Sequence, residues 1–339
     1  MKTYIFHALI VLAITLLHHQ IGASAQNFDI GLNYGMLGDN LPKPTEVVKL
    51  YQKYGIGKMR IFAPDPATLE ALRNSNIELS MGIANELLPT LAASEANAER
   101  WYNGFMAPYI NDVIFSYITV GNEIVPGEFA QYIVPVMRNL QTILDENNLA
   151  GIRVSTVVAT SVLGTSYPPS QGNFTTDARA TMIDILKFLN DTSSPLLINV
   201  YPYFAVAADP INVRLDYALF TATDVVVQDG NLNYNNMFDA IVDSFFWAME
   251  KENFSDVQLV VSESGWPSYG NGNLTTKPLA YTYNYNFVRR VQKFGTPKRP
   301  NAYVEGFIFA LFLEDLKPAG VERNFGLVDP ITMEGLYPL

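Results

Sequence analysis

Eight short runs of apolar, largely β-branched residues recur between residues 30 and 312, and longer segments of helical period fall between them, with no low-complexity linker anywhere. The runs lie at 30–34, 58–62, 78–83, 115–120, 153–158, 196–200, 258–262 and 306–312. The helical segments lie at 45–54, 66–74, 96–111, 129–147, 177–190, 235–251 and 279–294, several with recognisable starts such as Thr45 before Glu46 and Thr176-Asp177 before Ala178. This alternation reads as repeated β-α units. Eight of them over about 310 residues predict an α/β chain folded as a single-domain (β/α)8 TIM barrel, a fold of typically about 250 residues enlarged here by loops. An open doubly wound sheet is the rival. It is disfavoured because neither G-x-G-x-x-G nor G-x-x-x-x-G-K-S/T follows any of the runs.

The first residues belong to a different kind of segment. Lys2, an apolar stretch from Ile5 to Leu17 and the tripeptide Ala23-Ser24-Ala25 describe a secretory leader, 1–25, cleaved after Ala25 to leave 26–339 as the barrel domain. A membrane anchor needs roughly 20 apolar residues, and His18, His19 and Gln20 interrupt this run. The chain has no cysteine, and its three histidines, His7, His18 and His19, all fall in the leader. The remainder therefore has no imidazole base, no thiolate and no nitrogen or sulfur ligands for zinc, and the carboxylate chemistry read below requires no metal or cofactor. Acid–base chemistry must rest mainly on Asp and Glu.

With Lys2 removed, 21 basic residues face 33 acidic ones, and no basic run is longer than Arg289-Arg290 or Lys298-Arg299. Nucleic acid and anionic membranes are poor partners for such a surface, and a monomer outside the cell is expected. Four glycosylation sequons begin at Asn173, Asn190, Asn253 and Asn273, each expected on a surface loop or element end. The end at Gly335-Leu336-Tyr337-Pro338-Leu339 carries no apolar tail of the lipid-anchor type.

In a barrel, polar residues at the carboxyl ends of the strands point into the active-site mouth. Two runs end in a carboxylate in the same manner. The fourth leads into Gly121-Asn122-Glu123, and the seventh into Glu263-Ser264-Gly265-Trp266-Pro267. Strands four and seven face one another across an eight-membered ring. Two opposed carboxylates are what glycosidic bond cleavage needs, one protonated to help the leaving oxygen and one ionised to attack or to activate water. Each Glu taken alone also reads as a solvated loop residue or half of a structural ion pair. Trp266 and the cluster Tyr201-Pro202-Tyr203-Phe204 read equally as core packing or as faces that stack on sugar rings.

At these residues the chain resembles the plant β-1,3-glucanases of glycoside hydrolase family 17, over nearly all of residues 30–339. The segments that carry the resemblance are Ile30-Gly31-Leu32-Asn33-Tyr34-Gly35, Val120-Gly121-Asn122-Glu123, Asn199-Val200-Tyr201-Pro202-Tyr203-Phe204, Val225-Val226-Val227-Gln228-Asp229-Gly230, Val260-Val261-Ser262-Glu263-Ser264-Gly265-Trp266-Pro267-Ser268 and Gly295-Thr296-Pro297-Lys298-Arg299-Pro300. The resemblance implies a secreted, endo-acting, retaining hydrolase of β-1,3-glucan, with Glu123 as acid/base and Glu263 as nucleophile. It further implies that Asn122 contacts the 2-hydroxyl of the reacting sugar and that Tyr201 contacts the nucleophile. Tyr34, Asn199, Phe204, Trp266, Glu305 and Glu314 are then expected to line the cleft and meet substrate.

Two positions depart from the family pattern. Phe62-Ala63-Pro64 stands where many relatives have Tyr-Asp-Pro, and Leu313 stands before Glu314 where they have Asp or Asn. Both changes are expected to remove polar groups from the cleft and to slow the enzyme without changing its reaction. Three other readings stay open: a glycosyltransferase on the same scaffold, a mixed-linkage β-1,3-1,4-glucanase, and a glucan-binding defence protein of weak or lost activity.

Overall fold

The computed structural model describes residues 28–293 and 295–338; the expected leader and its cleavage site lie outside them. Eight parallel strands close into a barrel: β1 (Phe28–Asn33), β2 (Ile56–Ile61), β3 (Glu78–Ile83), β4 (Ile114–Asn122), β5 (Arg153–Ala159), β6 (Leu196–Asn199), β7 (Leu259–Ser264) and β8 (Glu305–Ile308). Each pairs with its sequence neighbours, and β8 closes on β1 with Gly31 opposite Phe307. Seven helices follow the first seven strands: α1 (Pro44–Lys53), α2 (Pro66–Leu72), α3 (Glu95–Phe105), α4 (Ile133–Glu146), α5 (Thr176–Thr192), α6 (Met237–Lys251) and α7 (Lys277–Val291). The predicted (β/α)8 TIM barrel is the fold found.

Local chemistry sets the helix starts. Asp65, Ser94, Thr175, Asn236 and Thr276 each cap a helix by accepting a hydrogen bond from a backbone N–H three residues on, which satisfies one of the orphan donors of the first turn. Helix α5 accordingly opens on Thr175, one residue before the Thr176 read from the sequence. The expected helix 96–111 stops at Phe105, and Pro108 disfavours helical backbone at the residue before it. The expected strand 306–312 is ladder only to Ile308. Beyond it the chain still bonds the barrel rim, through Phe309 N to Ser264 O and Leu311 N to Asn33 O, and Phe312 bridges to Val328. Two short hairpins and the helix Pro202–Ala208 were not read from the sequence.

The barrel interior is filled by Tyr117, Val157, Leu197, Val260 and Phe307, so it is a packed core rather than a pore. Phe307 occupies the space beside Gly31: a Cβ there would lie 2.0 Å from its ring, so only glycine fits. Among the described residues, no helix is long and apolar enough to cross a membrane.

Candidate active site

A cleft of about 1250 Å³ opens at the carboxyl ends of the strands, where the loops after them converge. Its wall includes Tyr34, Asn122, Glu123, Asn199, Tyr201, Phe204, Glu263 and Glu314, which brings eight of the ten expected catalytic and substrate-binding residues together.

Glu263 is 6 % exposed and sits at the end of β7. Both of its oxygens meet donors. Arg60 Nη1 donates to Oε1 at 2.6 Å, and Tyr201 Oη donates to Oε2 at 2.8 Å. Burial, then the charge of Glu263, raises the Tyr201 pKa well above its ordinary value, so its hydroxyl keeps its proton and remains a donor.

Arg60 is 1 % exposed and was not singled out in the sequence. Its guanidinium ties the site together. Nη1 also donates to Asn33 Oδ1 at 2.8 Å, Nη2 donates to Asn122 Oδ1 at 2.9 Å, and the group lies 4.5 Å from the Phe62 ring centroid. Asn33, at the end of β1, in turn donates to the Ser262 carbonyl on β7 and the Ile308 carbonyl on β8, both at 3.0 Å, which ties the three strand ends together. Removing one partner of a buried ion pair leaves an uncompensated charge, which costs about 3–5 kcal/mol. We expect Arg60→Met to lose stability on that scale in denaturant titration and to misplace both Glu263 and Asn122. A variant with unchanged denaturation midpoint contradicts this role.

Glu123 lies just past the end of β4 with φ 56, in the left-handed region that non-glycine residues seldom occupy, and Gly121 two residues earlier has φ 73. A Cβ at 121 would also meet Ile124 Cδ1 at 2.7 Å, so the turn that aims Glu123 requires glycine. The Glu123 backbone N–H is held by Val157 O at 3.0 Å. Its residue surface is open to the cleft, but the cleft walls surround the carboxyl. Partial burial, then the charge of Glu263, raises its pKa above the ordinary 4.5, while the Asn199 hydrogen bond and Arg60 pull it down. Asn199 Nδ2 donates to Glu123 Oε1 at 2.7 Å, and Ser262 Oγ donates to Asn199 Oδ1 at 2.7 Å, which sets the amide so that its NH₂ faces the carboxyl.

The remaining expected residues divide. Tyr34 is buried in the wall, and burial followed by the Asp65 charge pushes its pKa up to about 12. Phe204, on the helix Pro202–Ala208, is 44 % exposed and packs edge-on against Tyr201 and Tyr203. Glu314 accepts from Leu37 N at 3.0 Å and pairs with Lys317 Nζ at 3.1 Å. Lys317 itself lies 4.1 Å from the Phe309 ring centroid on the cleft wall, and nothing in the sequence pointed to it.

Three expectations are corrected. Trp266 is fully buried, wedged between Tyr203 and Tyr283 with Nε1 donating to Leu274 O at 2.8 Å, so it offers no face to a sugar. Glu305 is the first residue of β8, at the end of the barrel away from the cleft, where it pairs with Lys58 Nζ at 3.1 Å and accepts from Tyr117 Oη at 2.8 Å. It neutralises charge inside the barrel floor. Leu313 is not on the cleft wall, whereas Ala63 is, so only the change at 63 alters the cleft surface. All four sequon asparagines, Asn173, Asn190, Asn253 and Asn273, are exposed.

Comparison with known proteins agrees with this geometry. Residues 30–337 match Glycosyl hydrolases family 17. A probable glucan endo-1,3-beta-glucosidase of Arabidopsis thaliana is 52 % identical over 312 residues, covering 91 % of this chain and 90 % of that one. Lichenase-2 of Hordeum vulgare is 43 % identical over 310 residues, covering 91 % and 97 %. A solved structure from a study of two plant beta-glucan endohydrolases with distinct substrate specificities superposes with a TM-score of 0.88 at 42 % identity, covering 91 % of this chain and 99 % of that one. The match runs from β1 to the segment that closes the barrel and takes in both strand-end glutamates, so this chain belongs to glycosyl hydrolase family 17.

Proposed function

We propose that the chain is a secreted, retaining endo-hydrolase of β-1,3-glucan, with Glu263 as nucleophile and Glu123 as acid/base. The observation that carries this reading is the asymmetry of two carboxyls on one cleft. Glu263 has both oxygens in charge-assisted or phenolic hydrogen bonds, a setting suited to a carboxylate. Glu123 faces that charge from a site which raises its pKa, a setting suited to a proton donor. Attack by Glu263 on the anomeric carbon, with the Glu123 proton passing to the leaving oxygen, gives a covalent glycosyl-enzyme. Water then resolves it, with Glu123 now taking the proton, and the β configuration is kept. Arg60 holds Asn122 by its oxygen, which leaves the amide NH₂ for a sugar hydroxyl.

The pH dependence follows from the same contacts. Activity needs Glu123 protonated, so the alkaline limb of kcat/KM reports this group. The Asn199 hydrogen bond favours the ionised form and lowers the pKa. Asn199→Ala therefore moves the alkaline limb to higher pH in a pH–rate profile, and a shift to lower pH contradicts the assignment.

Substrate is tested by reducing-sugar release and product sizes from laminarin, a mixed-linkage glucan and a β-1,4-glucan side by side. Rapid release of mixed oligosaccharides from laminarin supports the reading. No release from any of the three overturns it. The likeness to Lichenase-2 makes a mixed-linkage β-1,3-1,4-glucan the second substrate reading, supported if that polymer is the faster one.

Secretion, a mature start at Gln26 and glycans on the exposed sequons belong to the same proposal. N-terminal sequencing of extracellular material checks the first two, and glycosidase-induced mass shifts check the third.

A further inference from the structure

Outside the cleft, the flank of the barrel between α7 and α1 lacks a helix. A (β/α)8 barrel surrounds its strands with an outer ring of helices. One follows each of the first seven strands here, whereas after β8 the described residues form only the short turn Val321–Arg323, isolated bridges and irregular chain. The stretch 325–338 closes part of the gap. Leu327 N bonds Leu311 O at 3.0 Å, Leu336 N bonds Leu327 O at 2.8 Å, and Tyr337 packs edge-on against Tyr281 of α7. Between that stretch, α7 and the strands β1 and β8 remains a cavity of about 460 Å³, which shares no lining residue with the cleft. Packed interiors hold few voids larger than a water molecule, and cavities of about 300–1,000 Å³ are the size that takes small ligands.

Its lining narrows the kind of ligand. Ile30, Leu32 and Ile308 give an apolar floor, and Tyr54, Tyr281 and Tyr285 add rings. Tyr281 and Tyr285 are stacked with centroids 5.6 Å apart, and Tyr285 is 49 % exposed. Two polar side chains of α7 also line the cavity. Asn284 is 4 % exposed; its Nδ2 donates to Tyr337 Oη at 2.8 Å, and its Oδ1 has no partner among the described residues. A buried acceptor without a donor is uncommon in folded proteins. Arg289 is exposed and lies 5.6 Å from the Tyr285 ring centroid. It has no acidic partner among the described residues, although acidic residues outnumber basic ones by 33 to 22, and its neighbour Arg290 is paired with Asp239. Aromatic walls suit a flat apolar body, the free Oδ1 suits a hydroxyl donor, and the guanidinium suits a carboxylate. Asn284 and Arg289 stand five positions apart, about 7.5 Å along the helix axis at about 1.5 Å per residue, so the two groups belong at opposite ends of the ligand. A glucosyl unit has a rim of hydroxyls that so apolar a lining would leave unbonded.

We propose that this cavity binds a small aromatic hydroxy acid, its ring against Tyr281 and Tyr285, its hydroxyl donating to Asn284 Oδ1 and its carboxylate on Arg289. The site lies outside the cleft and does not rest on the glucanase reading.

The test titrates the intact protein with 4-hydroxycinnamate by isothermal calorimetry, beside cinnamate, 4-hydroxycinnamyl alcohol and laminaribiose. It is repeated on Arg289→Gln and on Val288→Trp, which fills the cavity, with a melting curve for each variant. One saturable site for 4-hydroxycinnamate is expected. Loss of the probe's hydroxyl, of its carboxylate or of the Arg289 charge is expected to weaken binding about fivefold or more, and Val288→Trp to remove it. Arg289→Gln is expected to melt with the wild type, since this side chain is exposed and unpaired, so its weaker binding does not come from unfolding. No saturation of the wild type below about 1 mM overturns the site. Binding that both variants retain unchanged also overturns it, because the probe then sits elsewhere. Tighter binding of laminaribiose than of the acid, lost in Val288→Trp, overturns the ligand class. A dimer in sedimentation that Val288→Trp dissolves makes a second copy the occupant and overturns the proposal.

Discussion

Glu263→Gln is expected to lower turnover on laminarin by roughly 10⁴-fold or more, equivalent to about 5.5 kcal/mol of barrier at about 1.36 kcal/mol per decade, because the amide keeps the shape of the proposed nucleophile and loses its charge. The structure adds a second consequence. Arg60 is buried against Glu263, so the neutral amide leaves its guanidinium without a counter-charge. Asn33 and Asn122 still accept from that guanidinium, so the variant folds but melts several degrees lower, on the scale of about 4–8 °C per kcal/mol for small domains and less for a chain of this size. Steady-state kinetics and calorimetry read the two effects separately. Near-normal turnover in this variant removes Glu263 from the mechanism.

Glu123→Ala is expected to behave differently, because it removes the proposed proton donor and leaves the proposed nucleophile in place. On natural glucan, turnover falls roughly 10²–10⁴-fold, the range general acid catalysis supplies. A dinitrophenyl glycoside needs no proton to depart, so its first step survives and the glycosyl-enzyme accumulates. Azide then enters the space the carboxyl vacated and releases a β-glycosyl azide. An α-azide indicates a different stereochemical course, and equal losses on both substrate types contradict the acid role. The bond from Asn199 and the left-handed backbone at residue 123 aim this carboxyl, so small changes in that turn are expected to mimic the loss in part.

The barrel was legible because its eight strands and the helical stretches between them are short, local patterns in sequence; the helix caps were read less well, since the starts taken at Thr45 and Thr176 lie inside helices whose N-caps are Lys43 and Thr175. The positions of the two glutamates were legible for the same reason, since Glu123 directly follows β4 and Glu263 stands at the mouth end of β7. Arg60 was not. Its partners Asn33, Asn122 and Glu263 lie 27, 62 and 203 positions away, and the closed barrel brings them together. A lone arginine inside an apolar run was the available signal. Trp266 and Glu305 show the reverse failure. Trp266 stands three residues after Glu263, yet it turns outward to pack on Tyr283 of α7. Glu305 begins its strand rather than ending it, which places it at the opposite end of the barrel.

The central claim is a covalent intermediate on Glu263. Incubation with a 2-deoxy-2-fluoro laminaribiosyl donor bearing a dinitrophenyl leaving group slows breakdown of that intermediate more than its formation. Mass spectrometry of the intact protein, followed by sequencing of its peptides, then locates the sugar. A single added glycosyl group on Glu263 is the predicted result; a label on another residue, or full turnover to an inverted product with no label, contradicts the account.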